Sequence, residues 1–250
     1  MSVTSLMSEA SRSGFNTLLS SETTAAVPRI SAAQMLAAPE NEALLEIWNS
    51  PGDPTAYVGK RVAVVATDGV EEIELTTILH FFKTNGASVH LVSPKKPSYP
   101  AFLGLQLPAV RETHILTIRY IENGGWIAFD KVLDDVEASS YDAFIVPGGC
   151  WNPDSLRADS LAINLLKKAA SLGKIVAAIC HGPWVLSDAG LLKGKRATAW
   201  WSTRPDLENA GATFVDEAVV VDGAVVTSRA PTDLAPFVHA IGKLLSGGSE

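Results

Sequence analysis

From residue 61 onward, short runs rich in Val, Ile and Ala alternate with stretches of helical periodicity, and no other feature of the chain constrains its fold as much. "RVAVVAT" (61–67) has the composition of a buried strand. "EIELTTILHFFKTNG" (72–86) places apolar residues at helical spacing and stops at Asn85-Gly86, and "ASVHLVS" (87–93) is a second strand. The order recurs in "AFIVPGG" (143–149), a helix from about Asp159 to Leu172 ended by Gly173, and "KIVAAIC" (174–180). Strand, helix, strand units joined by right-handed crossovers pack as a mostly parallel sheet with helices on both faces, so the chain is of the α/β class. Its 250 residues, 47% of them hydrophobic, can bury a core large enough to cover such a sheet.

Residues 1–59 form an N-terminal extension: a Ser/Thr/Ala-rich tail to about residue 30, two short helical pieces in "SAAQMLAAPENEALLEIWN" broken at Pro39, and the linker "SPGDPTAYVGK". A single compact domain follows at 60–250. Within it "HILTIRYIENGGWIAFDK" (114–131) reads as an inserted β-hairpin turning at Asn123-Gly124-Gly125. Beyond residue 180 come a helix in "GPWVLSDAGLLKGK", strands around Asp222-Gly223 and a last helix in "LAPFVHAIGKLL".

The formal charge of −7 offers no attraction for nucleic acid or an anionic membrane, and no apolar run approaches the roughly 18 residues that span a bilayer. The N-terminal residues lack a basic stretch followed by an apolar one, so the expectation is a cytoplasmic protein with small-molecule or peptide substrates. Two cysteines, Cys150 and Cys180, are too few for a disulfide framework.

"AAICHGP" (177–183) is where the chemistry concentrates. A strand that ends on Cys180 and turns at once into a helix beginning at Pro183 holds the sulfur at the C-terminal edge of the sheet, where open α/β sheets bind ligands. Unpaired N–H groups at the helix start favour a thiolate, so Cys180 is a candidate nucleophile with a depressed pKa. Glu71 and Glu74, in "ATDGVEEIELT", share one helix face at the same edge. Glu74 sits among Ile73, Leu75 and Ile78, where burial favours a protonated carboxyl able to donate to a thiolate. Glu71 and Glu72 also suit the positive end of a helix. Gly148-Gly149 leaves backbone N–H groups free, so the amides of Gly149 and His181 could form an oxyanion hole. Cys150 follows directly and reads either as a resolving thiol for Cys180 or as a packing residue. His80, His90, His114 and His239 show no metal-ligand spacing, and neither a phosphate cradle, a dinucleotide fingerprint nor Gly-x-Ser-x-Gly is present.

The ordered set "VATDGVEEIEL", "AFIVPGG…PDSLR", "AAICHGP", "DLENAGA" and "VVVDGAVVTSRAPTDL" resembles the ThiJ/PfpI family from about Lys60 to Leu245. The resemblance implies a flavodoxin-like sandwich, Cys180 as nucleophile with Glu74 in contact, and no cofactor or metal. It further implies a homo-dimer or higher homo-oligomer in which His181 is paired with a carboxylate of a neighbouring subunit. Asp154 is the counterpart of that acid, although "GGCWNPD" is one residue longer than the PfpI pattern. Trp184 and Trp201 lie near the elbow in sequence and are candidates for shaping a pocket, or else for packing. The implied activity is cofactor-free chemistry on reactive carbonyls, of the glyoxalase III or deglycase kind. A PfpI-like peptidase or other amide or ester hydrolase is one alternative, and a stress-related redox sensor or holdase is another.

Overall fold

The structure is a computed structural model and describes residues 41–97, 104 and 106–248. Helix α1 (Glu42–Asn49) precedes strand β1 (Arg61–Val65). A two-residue strand β2 (Val70–Glu71) leads into helix α2 (Glu72–Thr84) and strand β3 (Ser88–Ser93). The hairpin is β4 (His114–Arg119) and β5 (Glu122–Ala128), followed by β6 (Lys131–Val132) and β7 (Ala143–Val146). Helices α3 (Trp151–Arg157) and α4 (Ser160–Ser171) lead to β8 (Ile175–Ile179) and helix α5 (Pro183–Asp188). Short β9 (Arg196–Ala197), helix α6 (Arg204–Asn209) and β10 (Thr213–Phe214) come next. The chain then runs through β11 (Val219–Asp222), β12 (Val225–Ser228) and helix α7 (Leu234–Leu245).

Seven strands form the main sheet in the order β11-β12-β8-β7-β1-β3-β6, all parallel except the edge strand β11. This is the expected flavodoxin-like layout. Strands β7 and β8 are buried along their whole length, and β1 at every position after Arg61, which explains why they read as continuous apolar runs rather than alternating ones. Alternate residues serve opposite faces. Ala63 and Val65 of β1 join Phe144, Val146, Leu156, Leu166 and Val185 in the core beneath α3, α4 and α5, while α2 and α7 pack together on the other face. Helix α4 begins where the sequence places it because Asp159 caps it, accepting from the amides of Leu161 and Ala162.

Strand β1 is followed by β3 on one side, and the chain later returns to β7 on the other. The crevice at this reversal, above the C-terminal ends of β1, β7 and β8, is where the Cys180 elbow emerges.

Three features differ from the sequence expectations. The hairpin turns at Tyr120-Ile121, with Arg119 paired to Glu122, and Asn123-Gly124-Gly125 lies inside β5. Gly124 is needed there because a Cβ would run into Thr117 Oγ1 and Glu72 Oε2, so the glycine permits a close approach instead of a turn. Residues 151–157 are helical although no periodicity marked them, and the helix after the elbow ends early, at Asp188. The expected tail and the break at Pro39 fall outside the described residues. Helix α1, from the second expected helical piece, packs on α2 and α7 through Leu44 and Ile47. Among the described residues no helix is long and apolar enough to cross a membrane.

Candidate active site

The strand-to-helix turn after β8 holds Cys180 at φ 61°, a left-handed conformation that costs an L-residue about 1–2 kcal/mol and is kept where the surroundings impose it. They do so from both sides. The Cys180 N–H donates to Ser228 O at 3.0 Å, and its carbonyl accepts from Trp200 N at 2.9 Å. The side chain points into the crevice and is 5% exposed.

Glu74 comes to the same point from the first turn of α2. It is fully buried, and its Oε2 accepts from the Gly148 N–H at 2.5 Å while the carboxyl lies beside the Cys180 thiol. Gly148 makes this convergence possible: a Cβ there would sit 2.6 Å from Cys180 Cβ, 2.9 Å from Glu74 Oε2 and 3.0 Å from the His181 nitrogen. Burial, then the nearby charge of Glu71, pushes Glu74 up to about 8, so it holds its proton at neutral pH as expected. Glu71, on the turn before it, is pushed up to about 7 by burial.

The two amides expected of an oxyanion hole both reach the sulfur: the N–H groups of His181 and Gly149 donate toward Cys180 Sγ and favour the thiolate. They do not dominate its acidity. Burial, followed by the Glu74 carboxylate, pushes the Cys180 thiol well above its ordinary value, opposite to the depressed pKa expected from the helix start alone. A sulfur-facing helix end is outweighed when the sulfur is desolvated next to an acid. Because the Glu74 contribution exists only while that carboxyl is charged, the two groups titrate as a pair.

His181 lies across the mouth of the site. Its Nδ1 is 3.2 Å from Cys180 Sγ and its Nε2 is 3.6 Å from Cys150 Sγ, so the ring bridges the two sulfurs and a direct disulfide would require it to swing away. Burial pulls its pKa down to about 4, which keeps the imidazole neutral. Trp184 packs edge-on against it, with ring centroids 5.2 Å apart, and Trp200 stacks on it at 5.4 Å. Trp201 instead points outward, 69% exposed, and stacks on Trp200. Asp154 is not brought to His181 within the chain. It is exposed on α3 and lines a cavity of about 660 Å³ with Asp68, Arg111, Tyr120, Trp126 and Trp151.

Several supporting residues carried no sequence signal. Asn152 is fully buried, accepts from Thr67 N at 2.7 Å and donates to Pro147 O at 2.8 Å, tying the ends of β1 and β7 together. Asp68 accepts from Arg111 Nε at 2.5 Å and from Leu116 N at 2.9 Å, clamping the turn after β1 to the hairpin. Glu71 and Glu72, read as partners of a helix start, extend this clamp. Glu71 accepts from Tyr120 N at 3.0 Å; Glu72 accepts from Arg119 Nε at 2.8 Å and Gly125 N at 2.9 Å. The hairpin thereby sets the position of the segment that carries Glu74. Such contacts join residues 43 to 53 apart, which local periodicity does not encode.

Comparison with known proteins identifies the family of the chain. Residues 60–244 match the model of the DJ-1/PfpI family. YraA of Bacillus subtilis (strain 168), provisionally named a cysteine protease, is 39% identical over 180 residues, which is 72% of this chain and 95% of that protein. Deglycase TK1284 of Thermococcus kodakarensis is 35% identical over 185 residues, covering 74% of this chain and 99% of that one. The crystal structure of Drosophila melanogaster DJ-1beta superposes with a TM-score of 0.64 at 28% identity, over 75% of this chain and 91% of that one. With this match across most of its length, an elbow cysteine held in the left-handed region and a buried glutamic acid against its sulfur, the chain belongs to the DJ-1/PfpI family.

Proposed function

We propose that the protein is a cofactor-free, cysteine-dependent enzyme acting on small reactive carbonyls such as methylglyoxal, with Cys180 as nucleophile. The observation that carries the reading is the convergence on one sulfur of a protonated carboxyl, two backbone N–H donors and a neutral imidazole. Cys180 loses its proton to solvent, since Glu74 already holds one, and the thiolate attacks the aldehyde carbon, giving a hemithioacetal whose oxygen the amides of His181 and Gly149 hold and which regains a proton from solvent. His181 and Glu74 then move protons so that the aldehyde carbon becomes a thioester carbonyl and the neighbouring ketone becomes an alcohol; the two carbons exchange oxidation levels and no external oxidant is consumed. Water releases the hydroxy acid and restores the thiol.

The 5% exposure of Cys180 favours a small aldehyde over a folded polypeptide chain. A peptidase or ester hydrolase would use the same nucleophile and oxyanion donors. The test is to incubate the protein with methylglyoxal without glutathione and measure lactate. Lactate formation lost in Cys180→Ala is the expected result; no lactate, together with release of amine from a peptide substrate, would replace this reading with the hydrolase one. Reversible oxidation of Cys180 without turnover would favour a redox role.

The same proposal includes a homo-oligomer in which Asp154 of one subunit meets His181 of another. Its support is the exposure of Asp154 beside an apolar surface where Trp151, Ile121 and Tyr120 are 68%, 64% and 59% exposed. Light scattering is expected to give at least twice 26.5 kDa. Asp154→Ala is expected to slow turnover about 10-fold or more without monomerising the protein. A fully active monomer would exclude any role in trans.

A further inference from the structure

The two amides that face Cys180 are held in different ways. The His181 N–H follows the turn that Ser228 and Trp200 fasten, whereas the Gly149 N–H belongs to the peptide joining Gly148 to Gly149, and glycine on both sides leaves that plane free to rotate. Half a turn would aim the Gly148 carbonyl at the sulfur in place of the amide. Asn152 opposes it. Its Nδ2 donates to Pro147 O at 2.8 Å and to Gly148 O at 3.2 Å, and Gly148 O also accepts the Glu71 N–H at 3.3 Å. The C=O and N–H of a trans peptide point in opposite directions, so a carbonyl fixed toward Asn152 fixes the amide on the other side. We infer that Asn152 is a positioning residue for the oxyanion hole: by holding the Gly148 carbonyl it keeps the Gly149 N–H on Cys180 Sγ. The inference rests on the reading of Cys180 as nucleophile with Gly149 as one of its two amide donors.

The surroundings require a side-chain amide at this position. Asn152 is fully buried, and its Oδ1 accepts from the Thr67 N–H at 2.7 Å, which leaves Nδ2 for the two carbonyls. An ionised carboxylate of the same shape would satisfy Thr67 and meet Pro147 O and Gly148 O with oxygen against oxygen. Gly149, at φ 79°, has no side chain to brace it, and a Cβ there would run into Gly69 O and Glu71 N. The brace comes instead from three residues further on, in the stretch "GGCWNPD" that is one residue longer than the PfpI pattern. On its other side the same peptide segment is held by the Gly148 N–H, which donates to Glu74 Oε2, an acceptor in the protonated carboxyl as well, so no proton moves in this arrangement.

Two measurements on the full-length protein test it: ¹H–¹⁵N NMR at neutral pH, and the rate of iodoacetamide alkylation followed on the Cys180 peptide by mass spectrometry. Removing the acceptor in Cys180→Ala is expected to move the amide protons of Gly149 and His181 upfield and, through the shared Gly148 carbonyl, the side-chain N–H₂ protons of Asn152 as well. In Asn152→Ala the Gly149 amide is expected to move upfield while that of His181 stays, and alkylation is expected to slow about tenfold, the worth of one hydrogen bond to a charged group. A side chain that served packing alone would give the opposite sign, because a loosened crevice hydrates a sulfur that is only 5% exposed and speeds alkylation. If near-UV circular dichroism shows that Asn152→Ala does not fold, the Asn152 side-chain protons of the folded Cys180→Ala protein decide. Side-chain protons of Asn152 that stay in place, or an Asn152→Ala protein alkylated as fast as the parent or faster, would overturn the inference and leave the nucleophile untouched. Amides of Gly149 and His181 that both ignore Cys180→Ala would overturn it together with the oxyanion reading. All three responses in a protein that forms no lactate would support the inference and overturn the carbonyl substrate alone.

Discussion

Cys180→Ala is expected to lower turnover of a reactive carbonyl by at least about 10³-fold, because the other groups at the site act on a nucleophile that would no longer exist. The variant keeps its fold, since the sulfur contributes little volume to a turn held by backbone hydrogen bonds to Ser228 and Trp200. A companion substitution separates chemistry from architecture. Cys180→Gly is expected to be equally inactive yet more stable than Cys180→Ala by about 1 kcal/mol, because φ 61° strains an L side chain and not glycine. Urea unfolding of the two variants checks the stability, and lactate production checks the chemistry. Retention of a tenth of parent activity by either variant would remove Cys180 from the mechanism, and a glycine variant less stable than the alanine one would mean that the elbow stores no strain.

Glu74→Gln is expected to move stability and turnover in opposite directions. The Glu74 carboxyl is held near 8 in the folded protein by burial and by Glu71, against 4.5 for the free group. Below about pH 4.5 it is protonated in both states and imposes no penalty. Between 4.5 and 8 the unfolded chain ionises while the folded one retains its proton, so stability falls as pH rises and the full penalty is reached above 8. Glutamine keeps the acceptor for the Gly148 N–H and removes the ionisation. The variant should therefore match the parent near pH 4 and exceed it by several kcal/mol above pH 8, as read by urea unfolding at both ends. His181, depressed to about 4, titrates in the opposite sense between about 4 and 6.5, but it is common to both proteins and cancels in the difference. Without the carboxylate charge, Cys180 alkylation should shift to lower pH, while turnover drops about 100-fold because an amide cannot exchange the proton. Stability curves that stay parallel from pH 4 to 8.5, with unchanged turnover, would leave Glu74 as a packing residue.

The sequence was sufficient for the sheet and for the Cys180 elbow because both are encoded locally. Strands β1, β7 and β8 are continuous apolar runs, and the Cys-His-Gly-Pro step at the end of β8 specifies a tight strand-to-helix turn from residue types alone. Glu74 was legible for a similar reason: an acid at the start of an apolar helix face has to be buried when that helix docks on the sheet. The hairpin was legible as two β-rich runs, but its turn was not, because the glycines in β5 answer to Thr117 and Glu72 across the sheet instead of to backbone curvature.

What tertiary structure decided is how these groups act on one another. The reversal of strand order at β1 and β7 brings residues 67–74, 148–152 and 180–181 into one crevice, where Asn152 joins two strand ends and Gly148 lets three elements meet. Desolvation in that crevice, a property of the packed state that no residue type carries by itself, sets the direction of the Glu74, Cys180 and His181 ionisations and reverses the expected acidity of the thiol. The 3.6 Å approach of Cys150 Sγ to His181 Nε2 was likewise made by packing. Cys150 and Asp154 are four residues apart in sequence, yet the start of α3 points Cys150 toward the imidazole and leaves Asp154 on the exposed side of the same helix, beside the groove.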